Sequence, residues 1–215
     1  MQFIVADDHP IFLSALNEAL KQWFERLEII EASSLKELER LVDDNEKPDL
    51  IILDLMIPGV RGFSALVYLR GIYPDTPIII ISGLEQESVI RAAAEYGARG
   101  YIKKTSKLPS IIEAINAVLK GEKIFPLELG QEQHGSSEFA KHEAKIQSLS
   151  ARQFHVLCLL NQGLSNKQIS DELSISLPTV KTHVSAILQR LDVSSRTQAV
   201  LIAKRLDVAM PAVDS

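Results

Sequence analysis

The chain has 215 residues, of which 46% are apolar and 24% are charged, and its formal net charge is −5. These values fit a globular protein of one or two domains and exclude a disordered or fibrous chain. No apolar stretch reaches the length of a membrane span and no charged segment opens a signal peptide, so we expect a cytoplasmic protein without membrane contact. The single cysteine, Cys158, lies in an apolar run, which favours a core residue over a catalytic thiol.

The charges are distributed unevenly along the chain. Residues 1–122 carry 13 Lys and Arg against 19 Asp and Glu, a net charge of −6, whereas residues 148–215 carry seven against five, a net charge of +2. An acidic first part and a mildly basic last part fit a regulatory domain joined to a domain that meets a polyanion. The basic excess is too small to establish nucleic-acid binding by itself.

Four short apolar runs in the first part of the chain end in polar residues. The runs are 3–6, 50–53, 78–81 and 100–103, and the polar residues that follow them are Asp7 and Asp8, Asp54, Ser82 and Lys104. Runs that are rich in β-branched residues and do not alternate are typical of strands buried on both faces of a parallel sheet. The carboxyl ends of such strands meet in one crevice, where ligands bind.

These side chains predict a particular chemistry for the crevice. Three carboxylates in one place repel one another unless a divalent cation lies among them. A hydroxyl and an ammonium group suit the oxygens of a phosphoryl group. The combination therefore predicts a site where an aspartate receives a phosphoryl group. Taken singly, Asp8 also fits a helix cap, Ser82 a turn and Lys104 an ordinary surface lysine.

Helical segments alternate with the strands as far as residue 121. The first helix is predicted to begin at Pro10, with a buried side formed by four residues: Phe12, Leu16, Ala19 and Trp23. A second strand near 27–30 and a second helix over 35–42 follow. The alternation predicts a parallel sheet wrapped by helices.

The chain changes character over residues 123–147. Residues 130–137 are polar and contain glycine, so we predict a linker, although 138–147 also fits an extension of a helix. His134 and His142 are expected to be solvated histidines, because no cysteine or carboxylate cluster frames them as metal ligands.

Serine caps predict four short helices after residue 148. The pattern S-x-x-Q, typical of a capping box, begins at Ser150, Ser165 and Ser195, and Ser176 precedes a proline near a helix start. The second and third helices form a helix-turn-helix. On the third helix, four apolar residues predict a buried stripe: Val180, Val184, Ile187 and Leu191.

The opposite side of this third helix is a candidate surface for reading DNA. It carries Lys181, Thr182, Ser185 and Gln189, one cation and three hydrogen-bonding side chains without bulky acids. An ordinary solvated helix surface explains these four residues equally well. His183 is equally well interpreted as a histidine at the edge of the core and as a phosphate contact.

The motifs of residues 1–122 resemble those of the receiver domains of two-component response regulators. They comprise DDHP from residue 7, LDLMIPG from residue 53, ISG from residue 81 and GARGYIKK from residue 97. The resemblance implies an α/β doubly wound, five-stranded parallel sheet with strand order 2-1-3-4-5. Family members place the active-site lysine fourth after the glycine equivalent to Gly100, which selects Lys104 and leaves Lys103 as a solvated neighbour.

The receiver resemblance also implies roles for individual residues. Asp54 would accept the phosphoryl group from a sensor histidine kinase, assisted by Lys104. Asp8, Asp54 and the backbone carbonyl of Met56 would hold Mg²⁺, with Asp7 acting through water. Ser82 would turn toward the phosphoryl group, and Tyr101 would repack inward behind it.

The last part of the chain, 148–215, resembles the LuxR-type DNA-binding domain, a small all-α, four-helix, helix-turn-helix domain. The match runs through the capped helices, with Gln153 and Gln168 in place of the usual glutamates and His155 where an acidic residue is common. Together the two parts resemble the bacterial NarL/FixJ regulators. This implies promoter DNA and RNA polymerase as partners, and a homodimer when the protein is phosphorylated. On the last helix, the inward stripe is expected to consist of Ala199, Ile202, Ala203 and Leu206, with Leu201 and Val208 on the opposite side. Domains like this one dimerise through their last helix, so Leu201 is a candidate contact.

Two other classes of protein remain as alternatives. A magnesium-dependent phosphatase with an aspartate nucleophile also places acids at strand ends, but its paired acids usually have one residue between them, unlike Asp7 and Asp8. A ligand-sensing LuxR-type regulator would not need the acids, the serine and the lysine. We therefore expect a DNA-binding transcription regulator controlled by phosphorylation, and not an enzyme.

Overall fold

The computed structural model describes residues 1–44, 47–60, 62–126, 145–146 and 148–205. Most of the predicted linker lies outside these ranges, with His134 and His142, and so does most of the predicted helical extension over 138–147.

A five-stranded parallel sheet forms the centre of the first part of the chain. Its strands are β1 (Gln2–Ala6), β2 (Glu28–Ala32), β3 (Leu50–Leu53), β4 (Ile78–Ser82) and β5 (Gly100–Lys103). Their order in the sheet is β2-β1-β3-β4-β5, which confirms the order that the resemblance implied. β3 and β4 are buried along their whole length, as expected for strands covered on both faces.

Five helices cover the two faces of the sheet. They are α1 (Pro10–Trp23), α2 (Leu35–Asp44), α3 (Ser64–Ile72), α4 (Glu87–Glu95) and α5 (Leu108–Leu119). α1 and α5 bury one face together with alternate strand residues such as Phe3 and Val5. The other face, which includes Ile4 and Ile51, packs against α2, α3 and α4.

The buried side of α1 differs from its prediction. α1 begins at Pro10 as expected, but its buried residues are Leu13, Leu16, Asn17 and Leu20, while Trp23 is 61% exposed. Phe12 and Ala19 are only partly buried. Leu13 and Leu20, which are seven residues apart, face the sheet. Trp23, at the C-terminal end of the helix, therefore lies at the surface.

In the described part of the chain after residue 126, four further helices form a second, all-helical unit. They are α6 (Ala151–Asn161), α7 (Asn166–Leu173), α8 (Leu177–Leu191) and α9 (Arg196–Arg205). Ser150 and Ser165 close complete capping boxes with Gln153 and Gln168, which confirms two of the predicted helix starts. The third predicted capping box, which begins at Ser195, differs from the prediction. The side-chain oxygen of its Gln198 accepts from the backbone N–H of Ser194.

The turn between α7 and α8 makes the helix-turn-helix. Ser174 adopts the left-handed conformation at φ 52°, and Ser176 then caps α8 by accepting from the N–H of Thr179. Val180, Ile187 and Leu191 are buried and Val184 is partly buried, so the predicted stripe of α8 faces the core. Within the described ranges, no helix is both long and apolar enough to cross a bilayer.

Candidate functional site

The strand ends bring the predicted site residues together. The N–H of Asp54 donates to the carbonyl of Ala6 at 2.8 Å, and the N–H of Asp7 donates to the carbonyl of Ala32 at 2.9 Å, so the parallel register continues one residue beyond each strand. Asp7 and Asp54 are each only 2% exposed to solvent. Two carboxylates thus lie at one sheet edge with little access to water.

Lys104 bridges the two buried acids. Its Nζ lies 2.7 Å from Asp7 Oδ2 and 2.7 Å from Asp54 Oδ2. The ammonium group also lies 5.3 Å from the centre of the Phe12 ring, within range of a cation–π contact. Lys103 instead pairs with Glu85 at 2.8 Å on the surface.

The surroundings of Asp54 disfavour its ionised form. Burial raises the pKa of Asp54, and the hydrogen bond and charge of Lys104 oppose that rise. The negative charge of Asp7 raises the pKa further, and the N–H of Met56, 3.2 Å from Asp54 Oδ1, lowers it. A further positive charge in the crevice would favour the carboxylate form that a nucleophile needs.

Four side chains at this edge offer ligand atoms for a cation. One atom from each of Asp7, Asp8, His9 and Asp54 lies within 4.8 Å of the others. Asp8 Oδ1 is buried without a hydrogen bond, although it lies 2.8 Å from His9 Nδ1, where the geometry is unsuitable for one. The three carboxylates fit Mg²⁺, which prefers oxygen ligands.

His9 belongs to this cluster and was missed as a site residue. Its Nδ1 lies 3.1 Å from Asp7 Oδ1 and 3.1 Å from Lys104 Nζ, and its N–H donates to Asp7 Oδ1 at 2.8 Å. The only signal in the sequence was its position next to the acidic pair.

Ser82 and Tyr101 line the crevice from β4 and β5. Ser82 is completely buried, and its Oγ accepts from the N–H of Leu84 at 3.4 Å. The Tyr101 hydroxyl donates to the carbonyl of Leu84 at 2.7 Å, and burial raises the pKa of Tyr101 to about 12. The Tyr101 side chain is 1% exposed in this unphosphorylated state, and its repacking on phosphorylation stays a prediction.

The candidate reading surface lies on α8. Lys181, Thr182, Ser185 and Gln189 are all exposed, and the Thr182 hydroxyl donates back to the carbonyl of Pro178 at 3.1 Å. This surface faces solvent and leaves three side chains and an ammonium group available for a ligand.

His183 is partly buried on another side of α8. Burial lowers the pKa of His183, the Arg152 guanidinium lowers it further, and the Glu39 carboxylate opposes both effects. On α9, Leu201 is 55% exposed, Ala199, Ile202 and Ala203 are buried, and Leu206 and Val208 lie outside the described residues.

Two protein families match the chain. The response regulator receiver domain matches residues 3–116, and the luxR family of bacterial regulatory proteins matches residues 147–203. The first match covers the sheet and its acidic crevice, and the second covers the helix-turn-helix.

Several relatives match along nearly the whole chain. The glycerol metabolism activator of Pseudomonas putida is 35% identical over 212 residues, which are 96% of each protein. The transcriptional regulatory protein LiaR of Bacillus subtilis (strain 168) is 35% identical over 95% of this chain and 97% of LiaR. The nitrate/nitrite response regulator protein NarP of Escherichia coli (strain K12) is 34% identical over 94% of this chain and 93% of NarP.

A solved structure agrees on the fold. RcsB of Salmonella enterica serovar Typhimurium, bound to the promoter P1flhDC with the phosphomimetic BeF3−, is 23% identical with a TM-score of 0.54, covering 97% of this chain and 99% of that one. Family matches, full-length relatives and fold thus agree. The chain belongs to the response regulators that join a receiver domain to a LuxR-type DNA-binding domain, a family of transcription regulators and not of enzymes.

Proposed function

We propose that Asp54 accepts a phosphoryl group from a sensor histidine kinase and that this event controls the binding of promoter DNA by α8. The observation that carries the proposal is the ammonium group of Lys104, held 2.7 Å from both Asp7 and Asp54 at a buried strand edge. Such a cation stabilises charge that develops on a phosphoryl group beside Asp54.

The transfer follows from the chemistry of the groups in the crevice. An Asp54 carboxylate oxygen attacks the phosphorus of a phosphohistidine, the P–N bond breaks, and the imidazole of the kinase leaves with a proton. Bound Mg²⁺, held by Asp8, Asp54 and the backbone carbonyl of Met56 with Asp7 acting through water, would neutralise phosphoryl charge. Lys104 exchanges its contact with Asp54 for one with a phosphoryl oxygen.

The new phosphoryl group then recruits Ser82. The hydroxyl of Ser82 lies at the end of β4, and in the unphosphorylated state its oxygen accepts from the N–H of Leu84. Turning the hydroxyl toward a phosphoryl oxygen gives that oxygen a donor and alters the loop after β4. The carbonyl of Leu84 transmits this change to Tyr101, whose hydroxyl it binds.

On the DNA side, Lys181, Thr182, Ser185 and Gln189 meet base edges and phosphates in a major groove. His183, which is partly buried, contributes a phosphate contact. Two copies of the phosphorylated protein pair through α9, with Leu201 at the contact. Support comes from the relatives, which are named as regulators, and from the RcsB structure, whose protein is described as bound to a promoter.

The bounds of the domains and the location of the protein in the cell belong to the proposed function. Residues 1–122 form the phosphoacceptor domain, 123–147 the linker, and 148–215 the DNA-binding domain. Ile124, the second residue of this linker, still pairs with Gly100 at the edge of the sheet. The protein acts in the cytoplasm, where RNA polymerase is its partner at the promoter.

A DNA selection with and without a phosphodonor tests the proposal. The full chain is incubated with a pool of random duplexes, with Mg²⁺ alone or with Mg²⁺ and acetyl phosphate, and bound DNA is sequenced. We expect one enriched motif with two half-sites, recovered more strongly after acetyl phosphate. Recovery that is equal with and without the donor, in protein shown to carry label, contradicts phosphorylation control.

The lifetime of the phosphoryl group gives a separate prediction. Hydrolysis needs a water aligned opposite Asp54, and the side chains of Met56 and Leu84, two residues beyond Asp54 and Ser82, are apolar and cannot orient it. Met56 is 40% exposed and Leu84 is partly buried. We expect a long-lived phosphoform, and faster loss of label in Met56→Asn, Leu84→Glu and the double variant. Unchanged loss in all three variants contradicts this explanation.

A further inference from the structure

An open groove lies on the receiver between α1 and the edge strand β2. Its volume is about 650 Å³, which is in the range of sites that bind small molecules. β1 is buried from Phe3 to Ala6, whereas four of the five residues of its neighbour β2 are exposed or partly exposed. The cover that α1 gives to the sheet therefore ends at β2, and the groove lies there.

Negative charge predominates along this groove. Its rim carries two exposed carboxylates, Glu18 of α1 and Glu31 of β2, and Asp8 lies at the end next to the start of α1. Among the described residues, Lys21 is the one cation that lines the groove. Three carboxylates against one ammonium group leave a net charge of −2, which favours a cationic ligand.

The floor of the groove contains a polar side chain with an unused acceptor. Asn17 is 9% exposed and is the only polar residue among the four buried residues of α1. Its Nδ2 donates to Glu31 Oε1 at 2.5 Å. Because a carboxylate only accepts, the amide nitrogen must face Glu31 and the amide oxygen must face away from it. Asn17 Oδ1 finds no hydrogen-bond donor in the part of the chain that the structure describes.

The unpaired oxygen of Asn17 points to a ligand. A buried amide oxygen without a donor is rare in folded proteins and is unfavourable, whereas a leucine at this position would extend the apolar side of α1. Asp8 Oδ1 also lacks a hydrogen bond, but Mg²⁺ in the crevice would satisfy that oxygen. No group in the proposed phosphoryl transfer reaches Asn17. A donor that lies on the floor of the groove would satisfy Asn17 Oδ1.

The acceptors lie at two places along the groove. Asn17 and Glu31 form one group, and Asp8 and Ser33 form another at the carboxyl edge of the sheet. Two residues of extended chain, such as those from Glu31 to Ser33, span about 6–7 Å. Leu13 also lines the groove and offers apolar surface. The arrangement matches two ammonium groups joined by a short alkyl chain.

We propose that this groove binds a small linear diamine. One ammonium group donates to Asn17 Oδ1 and Glu31, the other pairs with Asp8, and the alkyl chain lies on Leu13. A protein partner fits less well, because a specific protein interface covers about 800 Å² of each surface, far more than the groove offers. The site rests on these residues alone and does not depend on phosphorylation of Asp54.

Calorimetric titration of the full-length protein with 1,4-diaminobutane tests the site. We expect saturable binding of one molecule per chain at low salt without Mg²⁺. Butylamine, which has the same alkyl chain and one ammonium group, should bind at least about tenfold more weakly, because one hydrogen-bonded charge is lost. Glutarate, which carries two carboxylates, should not bind. Absence of saturable binding at millimolar 1,4-diaminobutane overturns the proposal, and so does equal affinity for butylamine.

Two substitutions locate the bound diamine. Glu31→Gln keeps an oxygen for Asn17 Nδ2 but removes the rim charge, so the affinity for 1,4-diaminobutane should fall at least about tenfold. Asn17→Leu removes the unpaired oxygen and should weaken binding by a similar factor. Glu113→Gln, the same change at an exposed residue of α5, is the matched control and should bind like the unchanged protein. Unchanged affinity in Glu31→Gln overturns the site. Equal weakening in Glu113→Gln does so too, because it indicates general attraction to an acidic protein.

Thermal melts separate loss of the site from loss of the fold. Asn17→Leu exchanges a buried polar group for an apolar one, so its melting temperature without ligand should equal or exceed that of the unchanged protein. 1,4-Diaminobutane should raise the melting temperature of the unchanged protein but not that of Asn17→Leu. A folded Asn17→Leu that binds the diamine as tightly as the unchanged protein overturns the role of Asn17. If Asn17→Leu does not fold, Glu31→Gln, a change at an exposed residue, decides the proposal.

The position of Asp8 predicts competition between the diamine and Mg²⁺. Both cations neutralise Asp8, so each should weaken the binding of the other by the same factor. This competition rests on the function proposed above, which assigns Asp8 to Mg²⁺. Titrations with and without saturating Mg²⁺, at constant ionic strength, should give weaker diamine binding in Mg²⁺. Equal affinities overturn the placement of an ammonium group at Asp8. A chain that binds no Mg²⁺ instead contradicts the proposed function, and Glu31→Gln then still decides whether the groove binds a diamine.

Discussion

Asp54→Asn is expected to abolish labelling of the protein by acetyl phosphate in the presence of Mg²⁺. An amide oxygen carries no charge and is too weak a nucleophile to displace the leaving group, whereas the carboxylate attacks phosphorus directly. Asp7, which also lies 2.7 Å from Lys104, follows β1, whereas Asp54 follows β3, the central strand of the sheet. Label is measured with isotopic acetyl phosphate, and Asp75→Asn, at an exposed aspartate, is the matched control. Persistent label in Asp54→Asn refutes the assignment.

The thermal stability of Asp54→Asn is measured to separate loss of label from loss of fold. Burial raises the pKa of Asp54, so the folded state binds more protons than the unfolded state once the pH exceeds the ordinary pKa of an aspartate. Stability of the unchanged protein then falls as the pH rises from about 4 toward the raised pKa, and the penalty persists above it. In Asp54→Asn, the side chain at position 54 does not titrate and adds no pH dependence to the stability. In thermal melts without Mg²⁺, the gain in melting temperature of Asp54→Asn should therefore grow from pH 4 to pH 7. A constant difference contradicts the direction of the shift.

The strand ends could be predicted because they depend on local patterns. A strand buried on both faces has an apolar run of few residues, and the residue that ends the run must lie at the edge of the sheet. Asp54 and Ser82 follow such runs directly, and the structure places both at the carboxyl ends of neighbouring strands. The helix caps at Ser150 and Ser165 were predictable for the same reason, because each is satisfied within four residues.

Contacts between distant parts of the chain could not be predicted in this way. Glu39 and His155 are 116 residues apart, and neither sequence neighbourhood indicates a partner for the other. The stacking of Tyr68 on Phe154 likewise depends on how the two domains dock. The prediction of which α1 residues are buried was wrong for a local reason. Both Phe12 and Leu13 are apolar, and periodicity alone does not choose which of them faces the sheet.

Lys181→Ala is expected to weaken binding of the selected DNA by roughly 1–3 kcal/mol, about 5-fold to 150-fold in Kd, if the lysine reads a base. Lys181 is exposed on α8 beside Thr182 and Ser185, and in the described part of the chain no acid pairs with it. Its ammonium group is therefore available to base edges and to phosphates.

The salt dependence of binding distinguishes the two roles of Lys181. A phosphate contact lowers affinity by a similar factor for all duplexes and reduces the slope of log K against log[salt] by about 1, because one fewer counterion is released. A base contact lowers affinity for the selected duplex far more than for a scrambled one. Lys120→Ala, which removes an exposed lysine of the receiver, is the matched control and should change neither quantity. If Lys181→Ala binds the selected duplex as tightly as the unchanged protein at physiological salt, this side of α8 does not face DNA, and the reading surface must be sought elsewhere on the domain.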